Sequence, residues 1–253
     1  MSNIYVISTG RNANKFVVNC IDSVRSQTVR PKSHIVIDDI SDDDTASYLE
    51  KYKGVEGIDI KINEERKYRL KNIYDSAIDR DPEDIVCIVD SDDWLGRNTA
   101  LETIKKTYEE NNKLEYVYSR YLLTHGQLGC SSPIPNDNWN PYTGAWITSH
   151  MSTFKAKALK EISVNNFLDW NGEWFKIATD HAMTLPILYR LWKRDGGYSS
   201  VGFIDEPLYM HTFYGNPSKP RSGTAEADDR ARLAVKCSTY IKQRGYLEGR
   251  EDA

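Results

Sequence analysis

The sequence predicts an α/β fold, a Rossmann-like, mixed and mostly parallel sheet flanked by helices. Three observations predict it. Short β-type apolar runs alternate with amphipathic helical segments through residues 1–123, the pattern of parallel βαβ units. Three of these runs stop abruptly at polar clusters, as strands do when a sheet edge forms a binding crevice. The chain has 253 residues, 40% hydrophobic and 28% charged, enough to bury a large core with an ordinary surface.

The elements follow in order. "IYVIS", Ile4 to Ser8, reads as a first strand ending at Thr9-Gly10. "NKFVVNCIDSVRSQT" places Phe16, Val17, Cys20, Ile21 and Val24 on one helical face, with Asn14 as the expected N-cap. "HIVIDD" is a second strand and "DDDTASYLEKYKG" a helix stopped at Gly54. "IDIKI" is a third strand, "YRLKNIYDSAIDR" a helix with Leu70, Ile73, Tyr74 and Ala77 inward, and "DIVCIVD" a fourth strand. "TALETIKKTYEENN" is a helix and "LEYVYSRYLL" a further strand.

Beyond Leu123 the pattern loosens. Gly126 to Gly144 reads as loop, "HMSTFKAKAL" as a strand entering a short helix, and "ATDHAMTLPILYRLW" as a helix kinked at Pro186. Gly215 to Gly223 is a polar loop, and Thr224 caps a last helix running to about Arg244, stopped by Gly245. The expected organisation is one domain in two halves, 1–123 and 124–253.

Bulk properties exclude several classes. A net charge of −4 gives no global attraction to nucleic acid. No apolar run reaches the ~18 residues of a membrane span, and "MSNIYVISTG" lacks the features of a signal peptide. Cys20, Cys87, Cys130 and Cys237 show no metal-type spacing and read as reduced core thiols. The expectation is a cytoplasmic protein, with peripheral attachment at a membrane surface left open.

The clusters at the strand ends are Ser8-Thr9-Gly10-Arg11-Asn12, Asp38-Asp39 and Asp90-Ser91-Asp92-Asp93. Parallel strands bring all three to one edge. Asp38-Asp39 alone fits a turn equally well. Asp90, Asp92 and Asp93 carry more weight, because adjacent carboxylates raise each other's pKa unless a cation neutralises them. Hard oxygens suit Mg²⁺ or Mn²⁺, which bridge diphosphate oxygens. The alternative is acids that cap a helix starting near Asn98.

The order of these motifs resembles the inverting glycosyltransferases of family 2, which have the GT-A fold. The match lies in Arg11-Asn12, Ser23 through Gln27-Thr28, Asp38-Asp39-Ile40-Ser41, Lys71-Asn72 and Asp90 through Asp93, and covers about the first 100 residues. Where the family usually carries Gly after Asp-Asp, this chain has Ile40. The resemblance implies a nucleotide-binding half, an acceptor-side half and a C-terminal helix. It implies that Thr9 and Arg11 flank the nucleotide, that Asp39 or Asp38 meets the base edge, and that Arg69 or Lys71 lies near the base or diphosphate. Asp90 or Asp92 would contact the ribose, beside Ser91, and Asp92 or Asp93 would bind Mn²⁺ or Mg²⁺. In the second half the family's base is the Asp of a Glu-Asp pair opening a helix. Thr179-Asp180 stands there, so Asp180 is the expected base and also a plausible N-cap, with Asp169 and Glu173 as backups. "DEPLYMHTFYGNPS" resembles the segment before a flexible lid. His211 would then complete the metal shell or be a core or surface histidine, and Lys219 and Arg221 would close on the diphosphate or form a solvated basic loop. Trp139, Trp146, Trp170 and Trp174 are candidate sugar-stacking surfaces or core residues.

The implied activity is transfer from a nucleoside diphosphate sugar, UDP- or GDP-linked, to the hydroxyl of a glycan or glycoconjugate, dependent on a divalent metal. Two alternatives stand beside it. One is an inactive GT-A domain that binds nucleotide. The other is a haloacid-dehalogenase-type phosphatase, whose first motif is also a strand ending Asp-x-Asp.

Overall fold

The computed structural model describes residues 2–212 and 224–248. One eight-stranded sheet organises the chain in the order β3-β2-β1-β4-β7-β6-β8-β5. Strands β1 (Ile4–Gly10), β2 (Ser33–Asp38), β3 (Ile58–Ile62) and β4 (Ile85–Ile88) run parallel. β7 (Ser152–Lys155) pairs antiparallel with both β4 and β6 (Tyr116–Leu123). β8 (Val201–His211) runs parallel to β6, and the short β5 (Trp94–Leu95) closes the far edge antiparallel to β8. The carboxyl ends of β1, β2, β4 and β8 therefore share one edge.

Alternation along the central strands explains the layering. Val6 of β1 and Ile85, Cys87 and Val89 around β4 face one side, with Leu101, Ile104 and Tyr108 of α4 (Ala100–Glu110) and Cys20 and Val24 of α1 (Phe16–Arg25). Ile7, Val86 and Ile88 face the other, against Leu70, Ile73 and Ala77 of α3 (Tyr68–Ala77) and Met183, Leu185 and Leu188 of α6 (Thr179–Asp195). Successive side chains of a strand point to opposite faces, so a strand covered on both sides must be apolar throughout. At ~25 cal/mol per Å² of apolar surface, each such fully buried Ile or Leu contributes on the order of 2 kcal/mol.

The remaining helices are α2 (Thr45–Leu49), which continues into a short tight turn to Tyr52, α5 (Ala156–Lys160) and α7 (Ala225–Arg244). Gly54 follows the α2 turn at φ +76°, as its position after the helix suggested. Thr224 caps α7 by accepting from the Ala227 N–H at 3.2 Å, and Gly245 ends it at φ +73°. α6 runs through Pro186 as one helix.

Two expectations need correction, and two strands were not foreseen. Lys15, not Asn14, occupies the N-cap of α1, and Asn14 adopts φ +49° with its side chain bonded to the Lys15 N–H. Cys130 is exposed, whereas Cys20, Cys87 and Cys237 are buried thiols. Strand β8 escaped the sequence reading because Pro207 sits inside it. The ladder accommodates that proline at register shifts either side of Arg120. β5 is two residues long and carries no periodic signal. Among the described residues, no helix is long and apolar enough to cross a membrane.

Candidate functional site

The shared strand edge opens into a cleft of about 770 Å³. Its floor begins where β1 ends. Gly10 stands there: a Cβ would lie 1.8 Å from the Ser91 hydroxyl oxygen and 3.1 Å from Ser91 Cβ, so a larger residue would force Ser91 to shift. A polar chain braces the floor. Asn72 Nδ2 donates to Thr9 Oγ1 (3.1 Å), Asn63 Nδ2 donates to Asn72 Oδ1 (2.9 Å) and to Asp39 Oδ1 (2.8 Å). Asp39 accepts further from the Lys67 and Tyr68 N–H groups at 2.8 and 2.9 Å and from Arg66 Nε at 3.0 Å. Burial pushes the Asp39 carboxyl up, but these donors outweigh it and hold it below the usual range.

The two acids at the end of β2 therefore part company. Asp39 lines the cleft, while Asp38 turns to Ser41 and burial raises its pKa. Ile40 between this pair and Ser41 adopts φ +60°, the left-handed conformation for which glycine is suited. Its carbonyl accepts from Arg11 Nε at 2.8 Å, so the β2 turn positions Arg11 at the cleft.

The acids after β4 also separate. Asp90 accepts from Arg69 Nε at 2.6 Å, and the same guanidinium reaches Asp180 Oδ1 through Nη1 at 2.7 Å. Burial opposes the Arg69 charge, but Asp180 and Asp90 outweigh it and raise its pKa. Asp92 lines the cleft. Asp93 is 1% exposed and turned inward. It accepts from the Tyr209 hydroxyl at 2.7 Å and the Thr212 N–H at 2.7 Å, and lies 2.9 Å from His211 Nδ1. Burial raises its pKa, and His211, His150 and the Thr212 N–H more than reverse this. None of the three acids caps a helix; Thr99 occupies the N-cap of α4.

β8 delivers Tyr209 and His211 to this point. His150 stacks on Tyr209 at 4.7 Å and on His211 at 5.0 Å between ring centres. Asp93, His150 and His211 offer one ligand atom each within 4.8 Å of one another, an oxygen and nitrogen set compatible with Mn²⁺. A carboxylate behind an imidazole is also how metal-binding histidines are commonly oriented.

Asp180 opens α6 at its second residue, where a negative charge suits the helix N-terminus. Ala178 holds the N-cap position at φ +56°, so Asp180 is not the N-cap. Protein packed around its carboxyl raises the pKa, but Arg69, then His150, His181 and His211, lower it below the ordinary value.

Of the residues expected from sequence, Thr9, Arg11, Asp39, Arg69, Asp90, Asp92 and His211 line the cleft. Ser91 packs beneath it at Gly10, and Asp180 joins its edge through Arg69. Lys71 does not face it: its ammonium pairs with Asp75, and Asn72 is the member of that pair which braces the floor. Asp169 accepts from the N–H groups of its own turn and Glu173 pairs with the lining residue Lys176; neither backup itself lines the cleft. Lys219 and Arg221 lie outside the described residues. Sequence reasoning missed Arg66, Tyr68, Lys176 and Arg230 as lining residues, and His150. Arg66 and Tyr68 stood beside the nominated Arg69; no spacing flagged the others.

The glycosyl transferase family 2 profile matches residues 5–162. No curated protein matches the sequence significantly. Among solved structures, S. aureus TarS is similar at 19% identity and a TM-score of 0.58, over 86% of this chain and 38% of TarS. This chain thus spans well under half of that protein. A mannosyltransferase of Pyrobaculum calidifontis, in complex with GDP-Man and Mn²⁺, gives 15% identity and a TM-score of 0.57 over 98% of this chain and 65% of its own. Glucosyl-3-phosphoglycerate synthase of Mycobacterium tuberculosis, with Mn²⁺, UDP and glucosyl-3-phosphoglycerate, gives 15% and 0.60 over 98% and 82%. These likenesses carry the GT-A fold. With the family profile spanning well over half of its length, the chain belongs to glycosyl transferase family 2.

Proposed function

We propose that this protein transfers a glycosyl group, with inversion, from a UDP- or GDP-linked sugar to a hydroxyl of a glycan or glycoconjugate. The observation that carries the reading is the Arg69 guanidinium, which spans from Asp90 in the nucleotide-side acid cluster to Asp180 at the head of α6. One side chain thereby ties the leaving-group side of the cleft to a carboxylate on the other half of the chain. The complexes of the similar structures, with GDP-Man and Mn²⁺ in one and UDP and Mn²⁺ in another, support the donor class.

In this reading the acceptor oxygen attacks the anomeric carbon as the bond to the diphosphate breaks. Asp180 takes the hydroxyl proton late in that displacement; its carboxylate is held ionised by Arg69 and the nearby histidines and so is free of a proton of its own. Arg69 offsets charge accumulating on the departing diphosphate and keeps Asp180 oriented. Tyr68 and Arg66, with Arg66 4.5 Å from the Tyr68 ring centre, border the nucleoside end next to Asp39. Asp92 and His211 would hold a divalent Mn²⁺ or Mg²⁺, and Asp93 would orient His211 from behind. When bound, the ion supplies charge neutralisation to the diphosphate.

Calorimetric titration of UDP and GDP with and without Mn²⁺ tests the donor site. We expect metal-dependent binding that Asp92→Ala abolishes while the melting temperature is retained. Undiminished metal-dependent affinity in Asp92→Ala would remove Asp92 from the metal site. Tight nucleotide binding without any sugar-nucleotide turnover would instead make the domain a binding module.

A further inference from the structure

Helix α7 carries one row of side chains out of the cleft. Glu226, Asp229 and Leu233 line the cleft, and Lys236 and Tyr240 continue the same row at helical spacing. Leu233 and Tyr240 are two turns apart, ~10 Å along the axis. At the far end lies a second hollow of about 420 Å³, lined by Trp170, Lys236, Thr239, Tyr240 and Gln243.

Trp170 is the only exposed Phe, Trp or Tyr side chain among the described residues, at 38%. It stands on a braced turn: Leu168 and Trp174 are bridged, the Asp169 N–H donates to the Glu173 carbonyl at 2.7 Å, and the Asp169 side chain accepts from the Asn171 and Glu173 N–H groups. Tyr240 meets the indole edge-on at 5.5 Å, and the Lys236 ammonium lies 4.2 Å from its ring centre. An aromatic floor with a rim of amide, hydroxyl and ammonium groups matches the C–H faces and hydroxyls of a sugar ring. An apolar protein partner would be matched by an apolar rim.

The location fits the acceptor. His181, the neighbour of Asp180, lies 2.6 Å from the Ser238 hydroxyl. The turn of α7 that carries the hollow therefore packs against the helix that carries the proposed base. Resting on the transferase reading above, we propose that Trp170, Tyr240, Lys236, Thr239 and Gln243 form a saccharide subsite. It would hold a unit of an oligosaccharide acceptor remote from the reacting hydroxyl.

The test follows the Trp170 indole N–H resonance of the full chain, assigned with Trp170→Phe. Chitotetraose, maltohexaose, cellotetraose and mannotetraose are titrated to millimolar concentrations beside their monosaccharides. We expect a saturable shift with at least one oligosaccharide and none with its monosaccharide. Trp170→Ala should weaken that binding roughly tenfold or more, and Trp170→Phe should retain most of it, read by calorimetry. UDP affinity in the presence of Mn²⁺ should be unchanged in both variants. No shift with any of the four, or equal binding by Trp170→Ala, overturns the subsite. A wild-type chain that binds neither UDP nor GDP, yet shows the saturable response, refutes the transferase reading and supports the saccharide site on its own.

Discussion

Replacing Asp180 by Asn separates chemistry from architecture at the proposed base. Ala178 occupies the N-cap position, so no capping bond depends on the carboxylate. An Asn oxygen can still accept from Arg69 Nη1, which now lies 2.7 Å from Asp180 Oδ1. The Asp180 side chain is 45% exposed, so losing its charge should cost about 1 kcal/mol or less. For a chain of this size that is a fall in Tm of about 2–4 °C. Losing a general base costs about 10²- to 10⁴-fold in rate. The assay is nucleoside diphosphate release from a sugar nucleotide with water as acceptor, with melting measured on the same preparation. Donor affinity should stay near wild type. The pH profile gives a second readout. Packing raises the Asp180 pKa but Arg69 and the nearby histidines lower it further, so the acid limb of the wild-type rate should fall below the ordinary carboxylate range. Arg69→Gln removes the largest lowering influence and should move that limb to higher pH. Near-normal turnover in Asp180→Asn would refute the base assignment, and an acid limb unmoved by Arg69→Gln would refute the electrostatic account.

Two further outcomes follow from a strained turn and a buried histidine. Ile40→Gly should leave Tm unchanged or raise it, because a left-handed L-residue costs about 1–2 kcal/mol while glycine forfeits about 0.5–1 kcal/mol of chain entropy; a Tm loss of several degrees would show that the turn does not store that cost. Acid should destabilise the fold through His34, which is buried and lowered from 6.5 to about 3. Its neutral form contributes fully above pH 6.5, and that contribution is lost as pH falls toward 3, about 2 kcal/mol by pH 5. Melting at pH 7 and pH 5 should differ by several degrees for this reason, and by less in His34→Gln. Equal pH sensitivity in the two proteins would refute it.

The first half of the fold was legible because its signals are local. Ile4 to Ser8, "HIVID", "IDIKI" and "IVCI" are buried on both faces or bounded by turn residues, and their helices repeat at a single period. The second half carries its pairing information across long separations. β7 pairs with β4 and β6, and β8 joins β6 across a proline-tolerant bulge, so no window of sequence contains the partner. The haloacid-dehalogenase reading falls with the family assignment. Ile40 shows the converse: the backbone keeps the left-handed turn expected of glycine even where the residue is β-branched. The surrounding hydrogen bonds, from Arg11 to the Ile40 carbonyl and between Ser41 and Asp38, over-determine that turn.

The acid cluster shows where sequence logic was right about the problem and incomplete about its solution. Three carboxylates within four residues demand neutralisation, and the sequence alone offered a cation or a helix cap. The fold supplies part of the answer from its own side chains. Asp90 is met by Arg69, 21 positions earlier, and Asp93 by Tyr209, His211 and the Thr212 N–H, well over a hundred positions later. Asp92 lines the cleft beside Asp90 and is the carboxylate proposed to meet the metal. The donors around Asp93 hold its pKa down against burial, which makes it a fixed anion behind His211. Motif spacing therefore locates the acids but cannot divide their labour. That division depends on Arg69 and on the carboxyl end of β8, and Arg69 also joins the acids after β4 to Asp180 at the edge of the cleft.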